Sequence, residues 1–66
     1  MTKEMEFFIF LMEQYAFHKK TTANKVLEKL EELNLTNYVY HMYEIYHTED
    51  LENAFNDIDR KMNDSK

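Results

Sequence analysis

The sequence contains no glycine, no proline, no cysteine and no tryptophan. Without cysteine there is neither a disulfide framework nor a thiolate metal site. Tight β-hairpins lean on Gly or Asn at positive φ, whereas helices joined by Asn- and Thr-rich corners need neither Gly nor Pro. A β-rich fold is therefore disfavoured. The longest apolar run, Phe7-Phe8-Ile9-Phe10-Leu11-Met12, is six residues long, against the roughly 20 needed to span a bilayer. The missing cysteines and the lack of a basic-then-apolar leader point to a cytoplasmic protein. Sixty-six residues allow one domain at most, near the lower limit for folding on a single apolar core. Such a chain is left with good helix packing or oligomerisation as its staples.

Aromatic and sulfur-bearing side chains are plentiful: five Phe, five Tyr and five Met. Helical periodicity organises them. The first helix, about 3–18, is capped by Thr2, with Glu4 and Glu6 near its positive end. Its broad face carries Met5, Phe8, Ile9, Leu11, Met12, Tyr15 and Ala16, with Phe7 at the edge. Phe10 and Phe17 fall on the opposite side, among Glu6, Glu13 and Gln14. A helix apolar almost all round wants neighbours on several sides, so this helix is expected to be central.

Thr21 and Thr22 signal a second helix, about 22–33, with Val26, Leu27, Leu30 and Leu33 inward and Asn34 as a left-handed stop. Thr36 is the expected cap of a third helix, about 37–47, with the stripe Val39, Met42, Tyr43 and Tyr46, widened by Tyr38 and Ile45. Thr48-Glu49-Asp50 opens a fourth, about 49–62, on Leu51, Ala54, Phe55, Ile58 and Met62. Fraying is expected from Asn63 to Lys66. The expectation is an all-α, compact four-helix domain covering residues 1–66.

The formal charge is −5. Residues 1–35 are nearly neutral, and the acid surplus lies in residues 36–66. That surplus repels phosphate backbones and suits a basic protein partner. Lys19, Lys20, Lys25 and Lys29 form a candidate nucleic-acid patch, diluted by Glu28, Glu31 and Glu32. A nucleic-acid-associated regulator using Lys19–Lys29 is thus the alternative reading, and nucleic acid the disfavoured partner.

His41-x-x-Glu44-x-x-His47 is the one run with metal-like residue types. Two steps of three residues put the imidazoles about 120° apart on a helix, so they do not converge. No calcium loop, nucleophile order or phosphate cradle is present. The expectation is therefore no metal, no cofactor and no catalytic residue. Partner-binding candidates are Phe10 and Phe17, as an apolar strip outside the main stripe, and Tyr40 at the border of its helix. Asp57 and Asp59 join them as acids facing outward or to the flanks of the fourth helix. The Phe10–Phe17 strip also predicts a homodimer.

Glu6-Phe7-x-x-Phe10-x-x-Glu13-x-Tyr15, then Val26, Leu30 and Tyr38, then Tyr43-Glu44-x-x-His47-Thr48 and Asp57-Ile58-Asp59, resemble a small uncharacterised bacterial helical family. Where that family often carries Gly after the His-Thr pair, this chain has Glu49-Asp50. The resemblance implies a short helical protein encoded beside another small gene, in some cases one resembling an ADP-ribosyltransferase. It implies an antitoxin-like or accessory role. Together these readings predict a small cytoplasmic protein–protein interaction module.

Overall fold

Thr2 starts the first helix as the sequence suggests: its hydroxyl accepts from the Met5 N–H, 3.1 Å away. The computed structural model describes residues 1–65. They form α1 (Lys3–His18), α2 (Ala23–Glu32), α3 (Thr36–His41), α4 (Tyr43–Tyr46) and α5 (Leu51–Asp64), with no strand among the described residues. The fold is all-α, as expected.

α1 is central. It packs against α2, α3 and α4, and it meets α5 through Tyr15 and His18, whose rings contact Phe55. Phe8, Leu11, Met12, Tyr15 and Ala16 supply its buried face. Val26 and Leu30 of α2, Val39 of α3, Tyr46 of α4, and Ala54, Phe55 and Ile58 of α5 complete the core with Leu35. Met5, Ile9 and Ile45 were expected in these stripes but remain exposed. Ile9 lies about 100° from Phe8 around the helix, beyond the reach of the packed neighbours.

Two corners turn without glycine. α1 ends with Lys20 at φ 59 and α2 with Asn34 at φ 58. In each corner the N–H groups return to the last turn: Lys20 to Phe17 and Thr21 to Ala16, then Asn34 to Glu31 and Leu35 to Leu30. This double return is the Schellman closure, in which a left-handed residue satisfies two orphan carbonyls. Asn34 was expected there; Lys20 was not. Burial of both Leu30 and Leu35 adds the apolar contact that accompanies such a closure.

The expected third helix is interrupted. At Met42 the backbone shifts to φ −83, ψ 10, and the Met42 N–H donates to Val39 rather than one residue further back. One expected helix thus becomes α3 and α4. Two expected caps also move. Leu35, not Thr36, occupies the cap of α3, and the Thr36 hydroxyl is buried without a protein partner. Thr48 closes α4 instead of opening α5: its hydroxyl donates to the Ile45 carbonyl at 2.9 Å. Asp50, two residues further on, occupies the cap of α5, which starts at Leu51. α5 continues through Asn63 and Asp64, where fraying was expected; Lys66 lies outside the described residues.

Candidate interaction surface

α5 presents Asp57-Ile58-Asp59. Ile58 is fully buried. Residues one step either side of it point about 100° away around the helix, so both carboxylates emerge at the border of the core. Of the two placements expected for Asp57 and Asp59, outward or to the flanks, both take the flank, half-buried. Asp57 Oδ2 accepts from the Tyr38 hydroxyl at 2.9 Å and from the Tyr46 hydroxyl, while Oδ1 accepts from Arg60 Nη2 at 2.7 Å. Asp59 Oδ1 accepts from the Tyr15 hydroxyl, and Oδ2 from Lys19 Nζ at 2.9 Å.

These contacts follow from what tyrosine is. An apolar ring with a polar tip can be buried if the tip finds a partner. Tyr15 and Tyr46 are 3% and 2% exposed, and each tip meets a carboxylate at the rim. Tyr38 and Tyr46 stand on either side of the Met42 break and share one oxygen. Burial first, and then the hydrogen bond to Asp59, pushes the Tyr15 hydroxyl well above its usual range. Burial and the bond to Asp57 do the same to Tyr46, and push Tyr38 upward. For Asp57, burial pushes the carboxyl up, but the bonds from Tyr46, Arg60 and Tyr38 outweigh it and hold it below the ordinary carboxylate value. Asp59 shows the same balance, with Tyr15 and Lys19 outweighing burial. Donors to the charged form always favour ionisation.

Both carboxylates are thus clasps between helices. Asp57 ties α5 to α3 and α4; Asp59 ties α5 to α1 and the corner after it. Sequence reasoning missed the clasps, although two signals were present. Acids flanking a core position cannot both face away from the core, and a chain with five tyrosines must find partners for the buried hydroxyls. Lys19, a member of the candidate nucleic-acid patch, is engaged by Asp59. Lys61 lies over the Tyr38 ring at 4.9 Å.

The opposite side of the molecule is different. Phe17 is 81% exposed and Phe10 46% exposed, on the side of α1 that faces away from the core. Phe10 approaches Phe7 at 6.4 Å between ring centroids, and Phe7 meets Tyr43 edge-on at 5.7 Å. Tyr43 in turn stacks on His47 at 4.2 Å, with the two rings nearly parallel. The result is an aromatic ribbon running from the outer face of α1 onto α4. Tyr40 is half-buried and places its ring edge-on against Phe8, so its body belongs to the core.

His47 is committed to Tyr43: its ring stacks there and its Nδ1 meets the Tyr43 carbonyl. His41 leans on the Tyr40 ring, and His18 stacks on Phe55. Among the described residues, no three His, Asp or Glu side chains gather at metal-ligand spacing. No helix of the described residues is long and apolar enough to cross a membrane.

A helical chain closed by tyrosine–aspartate clasps and carrying an uncovered aromatic ribbon is what the fold defines. The chain belongs to the family described as Protein of unknown function (DUF3791), whose model matches residues 6–64. That span includes both the ribbon and both clasps. Neither a curated protein nor a solved structure matches the chain.

Proposed function

We propose that the chain is a protein–protein interaction module that docks through the outer face of α1. The exposure of Phe17 carries this reading. A fully buried aromatic ring stabilises a fold by about 1.5–3 kcal/mol relative to an exposed one. A domain this small has little apolar surface to leave unused. Phe10, one heptad away, extends the same strip, and Phe7 and Tyr43 continue it sideways.

Binding rather than catalysis is the role that this arrangement supports. Asp57 and Asp59, the carboxylates drawn furthest from solution behaviour by their surroundings, are occupied as clasps. The acid surplus left in solvent, including Glu44, Glu49, Asp50 and Glu52, favours a basic flank on any partner by steering its approach. The sequence resemblance adds a context: a partner encoded beside this chain, which the chain neutralises or assists in the cytoplasm. The nucleic-acid alternative has one fewer free cation at its disposal, because Lys19 is paired.

A photo-reactive phenylalanine analogue placed at position 17 tests the reading in cells that naturally express the chain. Illumination should yield a discrete protein adduct at position 17 and none from the same analogue at Asn53, an exposed position on α5. Equal labelling at both positions, or none at either, would remove the docking face.

A further inference from the structure

α2 sorts its charges to two sides. Glu28, Glu31 and Glu32 line a hollow with Asn24 and Leu27. Lys25 and Lys29 line a different cleft, of about 300 Å³, formed with the end of α1, the corner that follows it and α5. The floor of this cleft is apolar: Val26 and Tyr15 are buried and Met62 is half-buried. Its rim is cationic, with Lys19, Lys25 and Lys29, and Thr21 brings a hydroxyl. Among the described residues no carboxylate lines it; Asp59 stands in the adjoining hollow, where it holds Lys19. Lys19 in turn sits over the Tyr15 ring, 5.7 Å from its centre.

The fold accounts for two of the three cations. Lys19 is paired with Asp59, and Lys29 lies in the last turn of α2, where the helix dipole favours a cation. Lys25 has no such reason. It lies in the first turn, at the positive end, and no acid stands in that turn. Four residues separate it from Lys29, the spacing at which like charges oppose helix formation. Among the described residues neither of these two lysines is ion-paired. Two unpaired ammonium groups about 6 Å apart along the helix axis therefore border an apolar floor.

We infer that this cleft binds a small phosphate monoester, with the phosphate between Lys25 and Lys29 and the apolar body on Val26 and Met62. A phosphate monoester carries about −1.5 to −2 at pH 7, which matches two free ammonium groups, whereas a carboxylate matches one. Lysine holds phosphate as a point charge, and Thr21 adds a hydroxyl at the rim. The floor gives inorganic phosphate nothing; it rewards an alkyl or aryl group. Larger polyanions fit less well. Nucleic acid or an acidic protein would meet the −5 of the whole chain, while salt confines what a compact ligand feels to charges within about 8–10 Å. Nor does the cleft offer a base an open ring to stack on, since Tyr15 is 3% exposed. The cleft is separate from the Phe10–Phe17 strip and stands or falls independently of docking through α1.

Nuclear magnetic resonance titration of the intact chain with phenyl phosphate tests the site. Saturable shifts should centre on the amides of Thr21, Lys25, Val26, Lys29 and Met62. Inorganic phosphate and benzoate should each bind at least about fivefold more weakly, a difference near 1 kcal/mol. Lys25→Ala with Lys29→Ala should weaken phenyl phosphate at least about tenfold, with circular dichroism unchanged. Lys3→Ala with Lys61→Ala removes the same charge outside the cleft and should leave binding as it was. Met62→Ala should narrow the preference for phenyl phosphate over inorganic phosphate.

The absence of saturable shifts, or equal weakening by the two lysine pairs, overturns the site. Inorganic phosphate binding as tightly as phenyl phosphate overturns the role of the floor, and benzoate binding as tightly overturns the assignment to a dianion. A short phosphotyrosine peptide should bind no tighter than phenyl phosphate; tighter binding by the peptide overturns the small ester in favour of a phosphorylated protein.

Discussion

The Asp57 and Asp59 side chains are 16% and 33% exposed, whereas Phe10 and Phe17 are 46% and 81% exposed. Charge has gone half-inside on α5 and aromatic surface has stayed outside on α1. Each inversion has its own cause. On α5 the aspartates are drawn to the border by tyrosine hydroxyls that need acceptors once their rings are buried. On α1 the phenylalanines occupy the one side of a central helix that no other element reaches. The first inversion is explained within the chain. The second leaves unused apolar surface, and it is there that a partner has most to gain. The difference separates residues that hold the fold from residues available for association, a distinction residue type alone would have drawn the other way.

The largest expected effect comes from reversing the charge of both clasps. Asp57→Lys with Asp59→Lys places one cation beside Arg60 and another beside Lys19, and leaves the Tyr15, Tyr38 and Tyr46 hydroxyls without their acceptors. A domain of this size has roughly 3–10 kcal/mol of stability in total, at about 0.05–0.15 kcal/mol per residue. Each uncompensated buried polar group costs about 1–3 kcal/mol, so the double variant should lose its cooperative transition. Circular dichroism with thermal melting measures it. A melt within a few degrees of wild type would show the clasps to be ornamental.

A smaller change separates the two clasps. Tyr46→Phe removes one donor to Asp57 and leaves its ring in the core. A hydrogen bond to a charged group contributes about 1.5–3 kcal/mol, and that is the expected loss in denaturant melts. Tyr15→Phe should cost a similar amount through Asp59. Its exposed companion, the Lys19–Asp59 ion pair, adds little, since exposed pairs are worth about 0–1 kcal/mol. Lys19→Ala should therefore fall well short of Tyr15→Phe. If the two were equal, the ion pair and not the phenol would be the anchor.

The pH dependence follows from the same contacts. Asp57 and Asp59 have lowered values in the folded state. Their contribution is therefore complete above the ordinary carboxylate value, about 4, and fades as pH falls through the lower folded values. Tyr15 and Tyr46 are raised, so their contribution is complete below about pH 10 and fades as pH rises beyond it. Asp57→Asn with Asp59→Asn should lower the melting temperature at neutral pH. The gap from wild type should narrow as pH is taken below 4, where wild type loses the same charges. A gap that stays constant down to pH 2 would mean that ionisation of these groups contributes nothing.

Much of the fold was legible because helix-forming chemistry is local. The cap at Thr2, the start at Thr22, the stop at Asn34 and the stripe Leu51, Ala54, Phe55, Ile58 are each set by residues within a turn or two of one another. What was not legible depends on partners distant in sequence. Asp59 is shaped by Tyr15, forty-four residues away, and Asp57 by tyrosines on two other helices. The Met42 break belongs to this second kind, since the stripe through Tyr46 is equally well written for an unbroken helix. Phe10 and Phe17 were placed correctly because their position is a matter of angle on one helix. Lys20 shows the limit of residue preference: a left-handed corner was made by a lysine where Gly or Asn is usual, held there by two backbone hydrogen bonds.

The smallest expected effect on stability is also the one that sharpens the comparison most. Phe17→Glu removes the most exposed aromatic ring of α1 and replaces it with a charge. In an unassociated chain the ring contributes almost nothing to folding, since four-fifths of it is already in water. Surface changes away from caps, networks and the core usually stay within about ±0.5 kcal/mol. The glutamate also sits in the last turn of α1, where the negative end of the helix opposes it by a few tenths of a kcal/mol. A slight destabilisation is the expected result in denaturant melts at concentrations too low for association. A homodimer through the Phe10–Phe17 strip, the association the sequence predicts, would make the wild type gain stability with protein concentration, because a bound partner adds to the folded state by mass action. Phe17→Glu should show no such gain. A concentration-dependent rise that survives in the variant would place the association on another face. A loss above about 2 kcal/mol at low concentration, of the size seen when core side chains are truncated, would mean that Phe17 packs within the chain and that the contrast between the two regions does not hold.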